Sequence, residues 1–407
     1  MAIQVPENYV YLDWAATAPL CEEAAAAMAP YMVPGRANIA FGGNANSLHA
    51  PGRAAFEAME HARRSIASDL NASRPNEIIF TSGATESDNT ALLGVATAYA
   101  EDMRKNRART DRGAGEFVPH FITTQIEHEA VLMPAKKLEQ MGWRVTYLAP
   151  DARGFVQPDA LRAAIDADTA MVSVQMANSE VGSVQPIAEL AQVAHKAGAL
   201  FHTDATQALG KVAIDVRALD IDAASFSAHK ICGPKGVGAL YLKARTSIDQ
   251  FLGGGGQEEG RRSGTQNVCG IVGFAAACRV ACANVSTEAA REAALRDYLY
   301  AELAQIPGVA STVDVQAGGD FLPNIVHVLV YGYESETLVL RLDMMGFGVS
   351  GGSACSSHSL SASHVLRAMG ISADRAFGAL RVSMGRYTTQ QDIEAFLAAL
   401  KKCLDWQ

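Results

Sequence analysis

The chain has 407 residues, 49% of them apolar and 19% charged, a balance that supports a large core and excludes a disordered tail. Acidic residues outnumber basic ones, 43 to 34, for a net charge of −9. The basic pairs Arg63-Arg64 and Arg261-Arg262 are too short for the cationic stripe of a nucleic-acid groove.

The N-terminus, residues 1–7, has no basic region followed by an apolar core, so it does not read as a secretory signal. An alanine-rich patch at 24–27 follows. Phe56, Met59, Ile66 and Leu70 recur at helical spacing, and the apolar run 78–80 reads as a strand that stops at Thr81-Ser82-Gly83. Further short runs at 121–124, 145–148, 170–174 and 199–202 read as strands. Helical stretches at 130–141, 158–165 and 187–197 separate them. Such alternation predicts a mostly parallel sheet covered on both faces. Residues 223–227 and 237–242 add two strands spaced like a hairpin.

The glycine run 253–256 then breaks the pattern and opens a polar loop that reaches Asn267. Beyond it, Leu295, Leu299, Leu303 and Ile306 mark an amphipathic helix. Residues 325–330 read as an alternating strand, and Ile393, Phe396, Leu397, Leu400 and Leu404 mark a final helix. The fold class expected is α/β. A large domain over 15–260 has a mostly parallel sheet sandwiched by helices, and a smaller α+β domain is formed by 1–14 and 261–407.

No run approaches the ~20 consecutive apolar residues of a membrane span. The seven cysteines, odd in number and without a Cys-x-x-Cys pair, argue against a disulfide framework and against a zinc or redox pair. The expectation is a cytoplasmic enzyme with no bound metal, no membrane and no direct nucleic-acid partner.

Five segments carry chemistry. In 80–89 a strand ends, a glycine turns the chain, and Ala84 and Thr85 open a helix; free N–H groups and the helix dipole there favour a phosphate. In 202–207, Asp204 sits at a strand end, where a carboxylate suits a protonated ring nitrogen. In 225–236, Lys230 lies between an apolar strand and a Gly-Pro turn, with Ser227 and His229 beside it as hydrogen-bonding groups. In 349–358, Cys355 sits in a Gly/Ser-rich segment, the setting of a reactive thiol. In 380–385, Arg381 suits a carboxylate held by two parallel hydrogen bonds. Taken singly, these residues read as helix caps, a surface lysine and a small buried hydrophobe. Taken together they fit pyridoxal phosphate acting on an amino acid, with sulfur as the group transferred.

The ordered strings that carry these residues resemble a cysteine desulfurase of the iron–sulfur-assembly branch, within the class V aminotransferase group of fold-type-I pyridoxal-phosphate enzymes. The resemblance runs from 11–19 to 381–389. It includes 43–49, 81–89, Glu127-His-Glu-Ala-Val131, 178–182, the Asp204 and Lys230 segments, and 254–258 with 262–265. It implies that Lys230 carries the cofactor aldehyde, that Asp204 pairs with the ring nitrogen and that Gln207 bonds the ring oxygen. His128 would stack on the ring and help move protons. Ala84, Thr85, Ser227 and His229 would hold the phosphate, and Thr265 would reach it from the partner of a homodimer. Arg381 would bind the substrate carboxylate, and Cys355 would take sulfur from L-cysteine as a persulfide, leaving L-alanine.

Where the family usually has Asn-Asn-Glu, this chain has Asn178-Ser179-Glu180, so the ring-oxygen contact made by the second Asn falls to Ser179 or Asn178. Trp14 stands where a smaller or more polar residue is common. The sulfur would pass to an acceptor protein, an iron–sulfur scaffold or a sulfur relay. The rival activities on this fold are selenocysteine lyase and a plain class V aminotransferase, and the second has no use for Cys355.

Overall fold

A short apolar strand cannot bury itself, so the runs between residues 78 and 242 pair edge to edge. The structure is a computed structural model that describes residues 5–110, 117–316, 320–351 and 363–405. Its strands are β1 (Val10–Tyr11), β2 (Ile78–Thr81), β3 (His120–Thr124), β4 (Arg144–Leu148), β5 (Thr169–Ser173), β6 (Leu200–Asp204), β7 (Ala223–Ser227), β8 (Gly238–Leu242), β9 (Val309–Ser311), β10 (Ile325–Val330), β11 (Phe347–Gly348) and β12 (Ala379–Ser383).

Seven strands form the main sheet in the order β2-β8-β7-β6-β5-β3-β4. β8 runs antiparallel to both neighbours, and all the other pairings are parallel. The sheet expected from the alternation is therefore present, with the hairpin-like pair β7–β8 in register from Ala223 opposite Leu242. Alternate side chains go to opposite faces: Ile78, Phe80, Val172 and Phe226 enter one core cluster, and Ile79, Phe121, Met171 and Leu240 enter another. Gly238 is required where β8 passes under the turn after β2, because a Cβ there would overlap the Phe226 carbonyl oxygen and the Gly83 Cα.

The second layer is the antiparallel sheet β12-β10-β9, packed on the helices Val285–Leu303 and Gln390–Asp405. Two expectations change here. All six residues of β10 are buried, so it is not a strand with one solvent face. It is the centre of its sheet and is covered on both sides: Val326, Val328 and Val330 face the helical cluster, while Ile325 and Leu329 pack into two others. The helix marked by Leu295 ends at Leu303, and Ile306 packs into the same core from the turn beyond it. The helix Val268–Ala283 places Val268, Ile271, Phe274, Ala277 and Cys278 in the large core, past residue 260. Leu12 belongs to the small core, and β1 pairs in parallel with β11. Among the described residues no single helix is long and apolar enough to cross a membrane.

One buried ion pair ties the large core to the loop after the glycine run. Arg63 Nη1 donates to Glu258 Oε2 at 2.7 Å and Nη2 to Oε1 at 3.0 Å, and Glu258 Oε2 also accepts the Phe80 N–H at 3.1 Å. Burial pushes the Glu258 carboxyl up, but Arg63 and these donors outweigh it and hold it below the usual carboxylate range. Its contribution is therefore complete above the unfolded carboxyl pKa of ~4.3 and is lost as pH falls through the lower folded value. Glu258→Ala removes the two-point partner of a buried guanidinium, which keeps Glu60 on Nε and the Ile78 carbonyl on Nη1, and is expected to cost about 2–3 kcal/mol in urea unfolding at neutral pH.

Candidate active site

The carboxyl ends of the parallel strands β3, β6 and β7 face one side of the main sheet, the side on which open α/β sheets bind ligands. β2 ends there too. The cleft that opens at these ends has a volume of about 500 Å³, within the range of small-molecule sites. Ala84, Thr85, His128, Asp204, Gln207, Ser227, His229, Lys230 and Arg381 all line it.

One end of the cleft suits an anion. After β2, Gly83 adopts φ +154° and caps the helix Ala84–Thr90, whose first turn faces the cleft. Ser227 closes β7 beside it, and His229 follows in a short 3-10 turn. The His229 Nδ1 lies 3.1 Å from Thr17 Oγ1. Burial, and then the Lys230 and Lys235 cations, push its ring down to about 4, so at neutral pH it is an uncharged hydrogen-bonding group. Glu86, in the same first turn, would repel an anion. It is neutralised by Arg262, whose Nε donates to Oε1 at 2.7 Å, and by the Ser82 N–H on Oε2 at 2.9 Å.

The middle of the cleft holds an amine and a carboxylate. Lys230 Nζ donates to the carbonyl oxygens of Ala15 at 2.5 Å and Ala16 at 2.8 Å. Gln207 Nε2 donates to the same Ala15 oxygen at 2.9 Å. Asp204 ends β6, and its Oδ1 accepts the Thr206 N–H at 2.9 Å. His128 caps the helix Glu129–Gln140 by accepting the Ala130 N–H on Nδ1 at 3.1 Å, which puts the proton of the neutral ring on Nε2.

The other end is cationic. Arg381, on β12, is 2% exposed. Its Nη1 donates to the Ser179 carbonyl at 2.9 Å and its Nη2 to Asp13 Oδ1 at 2.8 Å, while its buried Nε has no hydrogen-bond partner among the described residues. The backbone of Ser350 exchanges two hydrogen bonds with that of Arg381, so the chain entering the Cys355 segment starts beside this guanidinium. Ser363, on the far side of that segment, donates to Glu180 Oε2 at 2.6 Å.

Two expected site residues do not line this cleft, and a third lies outside the described residues. Asn178 is buried with its amide committed locally: Nδ2 donates to the Ile126 carbonyl at 3.2 Å, and Oδ1 accepts the Glu180 and Val181 N–H groups, each at 2.9 Å. Ser179 lines the cleft instead. Thr265 is exposed on the loop after the glycine run and lines no part of the cleft. Cys355 lies outside the described residues. None of the six described cysteines lines the cleft.

Sequence reasoning also missed contributors. Asp13, Ala15, Ala16 and Thr17 come from the N-terminal segment, and two of them act through backbone oxygens, which no side-chain pattern marks. Trp14 holds that segment in place: its Nε1 donates to the Tyr11 carbonyl at 2.9 Å, and its ring fills the space where a Cβ at Gly385 would lie. Asp88 and Glu127, both fully buried beside Asp204, sat inside quoted strings without a role.

The chain was compared with known proteins. A family described as aminotransferase class-V matches residues 10–396. A cysteine desulfurase IscS of Dictyoglomus turgidum is 41% identical over 399 residues, 97% of this chain and 94% of that one. A second, from Methanosarcina thermophila, is 42% identical over 97% of this chain and 92% of the other. Among solved structures, a NifS-like protein superposes with TM-score 0.86 at 36% identity, covering 98% of this chain and all of that one. A structure described as SspA in complex with cysteine superposes with TM-score 0.76 at 31% identity over 93% of this chain and all of the other.

Proposed function

We propose, for a chain that belongs to the aminotransferase class-V family and within it to the cysteine desulfurases, that this cleft binds pyridoxal phosphate and L-cysteine and that Cys355 receives the sulfur. The chain is a cysteine desulfurase. The observation that carries the assignment of roles is that Lys230, Asp204 and Arg381 come from different elements and line one cleft whose far end is a glycine-capped helix start.

The residues present fit the cofactor. The first turn of the helix Ala84–Thr90, with Thr85, Ser227 and neutral His229, would hold the phosphate. Asp204 would accept the proton of the ring nitrogen, and Gln207 and Ser179 stand at the cleft wall for the ring oxygen. When bound, pyridoxal phosphate supplies an aldehyde for the lysine and a sink for the electron pair released at the substrate's Cα.

The remaining steps belong to this chain's own groups. Ala15 and Ala16 hold Lys230 Nζ in the cleft, from where it moves the substrate's α-proton, and His128 Nε2 offers a second proton site. Arg381 has an unpartnered Nε beside an Nη2 already paired with Asp13, so a substrate carboxylate gains a two-point contact by taking the place of the Asp13 carboxylate. The Cys355 thiolate bonds to the substrate sulfur as the Cβ–S bond breaks. The net change, L-cysteine plus a thiol giving L-alanine plus a persulfide, balances in atoms and electrons. Five residues of chain reach at most about 18 Å, so the link from Ser350 supports Cys355 as the thiol that serves this cleft.

Thr265, exposed on the loop after the glycine run, is proposed to complete the phosphate site of a partner copy in a homodimer. The persulfide then passes to a sulfur-acceptor protein in the cytoplasm, with iron–sulfur assembly as the role that the IscS relatives favour. The assignment is tested by the visible absorbance of the purified protein. A bound-cofactor band that shifts on adding L-cysteine, with L-alanine formed in step, is expected; no band and no alanine would refute it. A labelled-sulfur assay with candidate acceptors identifies the partner.

Arg381→Lys keeps the charge and loses the fork. Loss of one charge-assisted hydrogen bond, about 1.5–3 kcal/mol, predicts a fall in kcat/KM of roughly 10- to 100-fold, carried mainly by KM for L-cysteine.

A further inference from the structure

Two carboxyl groups, Asp88 and Asp204, line the cleft, and a third, Glu127, lies near enough to interact with both. Asp204 accepts the Thr206 N–H. Asp88, on the helix Ala84–Thr90, is fully buried; among the described residues neither oxygen has a partner at good hydrogen-bond geometry, and the Ser225 side chain is the polar group that favours its anion. Glu127, just after β3, is fully buried too; Oε1 accepts from Thr124 Oγ1 and from the Gln175 N–H, both at 2.8 Å, and Oε2 has no partner.

The titratable groups facing Asp88 are Asp204 and His202 on β6 and Glu127 after β3; Glu86 on its own helix is committed to Arg262. The His202 Nε2 lies 3.7 Å from Asp88 Oδ1. That ring does not supply a balancing charge, because burial pushes it down to about 3, and its nitrogens are within 2.8 and 3.0 Å of the Ser173 and Ser225 hydroxyls. Glu127 faces Asp204 in turn. The charged neighbours acting on both acids are thus acidic themselves.

Three anions cannot all sit here, since each raises the cost of the others. Of the three, Asp204 has both the open cleft and a backbone donor. We propose that Asp88 and Glu127 are protonated carboxylic acids in the working enzyme, positioning residues that leave Asp204 as the one carboxylate of the three to meet the ring nitrogen. The functional part rests on the pairing of Asp204 with the ring nitrogen given above. One anion then matches one protonated nitrogen. Burial, reinforced by the neighbouring carboxylates, pushes Asp88 well above its ordinary range and Glu127 up to about 8.

A carboxyl whose pKa is raised by folding makes stability fall with pH. Above the unfolded value of ~4 the unfolded chain releases a proton that the folded chain keeps, until the folded value is reached. Asp88→Asn and Glu127→Gln have no such proton. The experiment is thermal melting of the holoprotein at pH 5 and pH 8. Each amide variant is expected to gain on the parent as pH rises, by about 3 °C or more between the two. A difference from the parent that is the same at both pH values, or that moves against the variants at pH 8, overturns the proposal.

Infrared spectroscopy of the parent at pH 7 gives a second reading that needs no variant. The carbonyl band of a protonated, exchange-protected carboxylic acid is expected, and its absence overturns the proposal. Both readouts belong to the protein's own carboxyls. They persist when the cofactor is not bound, so a failure of the assigned activity is told apart from a failure of this inference.

Discussion

Lys230→Ala is expected to abolish turnover of L-cysteine, by about 10⁴-fold or more, and to remove the absorbance band of covalently held cofactor. The size of the effect follows from the two tasks of one nitrogen. In the proposed assignment Nζ would hold the cofactor through its aldehyde and would also move the α-proton of the substrate. The amine is held for both by two carbonyl oxygens, at 2.5 and 2.8 Å, from a segment more than two hundred residues away in the chain. An alanine at 230 leaves those oxygens without the amine but removes no core packing, so the variant is expected to fold and to bind cofactor without the covalent link. Absorbance spectra before and after adding L-cysteine, with amino-acid analysis for alanine, check this. An unchanged spectrum and unchanged turnover would sink the role of Lys230.

Cys355→Ser separates the two halves of the reaction. The cleft with Lys230, Asp204 and Arg381 is untouched, so the variant is expected to bind cofactor and to show the spectral shift with L-cysteine. Alanine formation falls at least about a hundredfold and no protein-bound sulfur accumulates, because a hydroxyl is a far weaker nucleophile toward sulfur than a thiolate. The thiol nearest in sequence to the lysine does not replace it. Cys232 lines a different cavity with Cys21 and Lys211, and burial pushes its thiol up to about 11. Mass spectrometry of the protein after one turnover decides the matter. Sulfur found on Cys232 in the variant, at the parent rate, would overturn the assignment.

The anion end of the cleft was legible because it is local. A strand, a glycine and a helix start follow one another within a few residues, and Ser227, His229 and Lys230 follow the next strand in the same way. Asp204 was legible as a carboxylate at a strand end. Asn178 was not legible as a turn residue. Its amide satisfies the backbone of its own loop, and nothing in the order of side chains distinguishes that use from a ligand contact.

What the sequence determined by itself is thus the alternation that builds the sheet, the turn chemistry at its carboxyl edge, and the residue types that suit an amine, an acid, a guanidinium and a thiol. Each is a property of residues close together in the chain, where periodicity and backbone geometry act directly. Tertiary structure decided three further things. It brought the 13–17 segment onto Lys230 and Arg381, it covered β10 on both faces, and it gathered Asp88, Glu127 and Asp204 together. The reason is that these depend on two cores closing against each other. A carboxyl's charge, or a strand's second face, is set by neighbours that only the packed chain supplies.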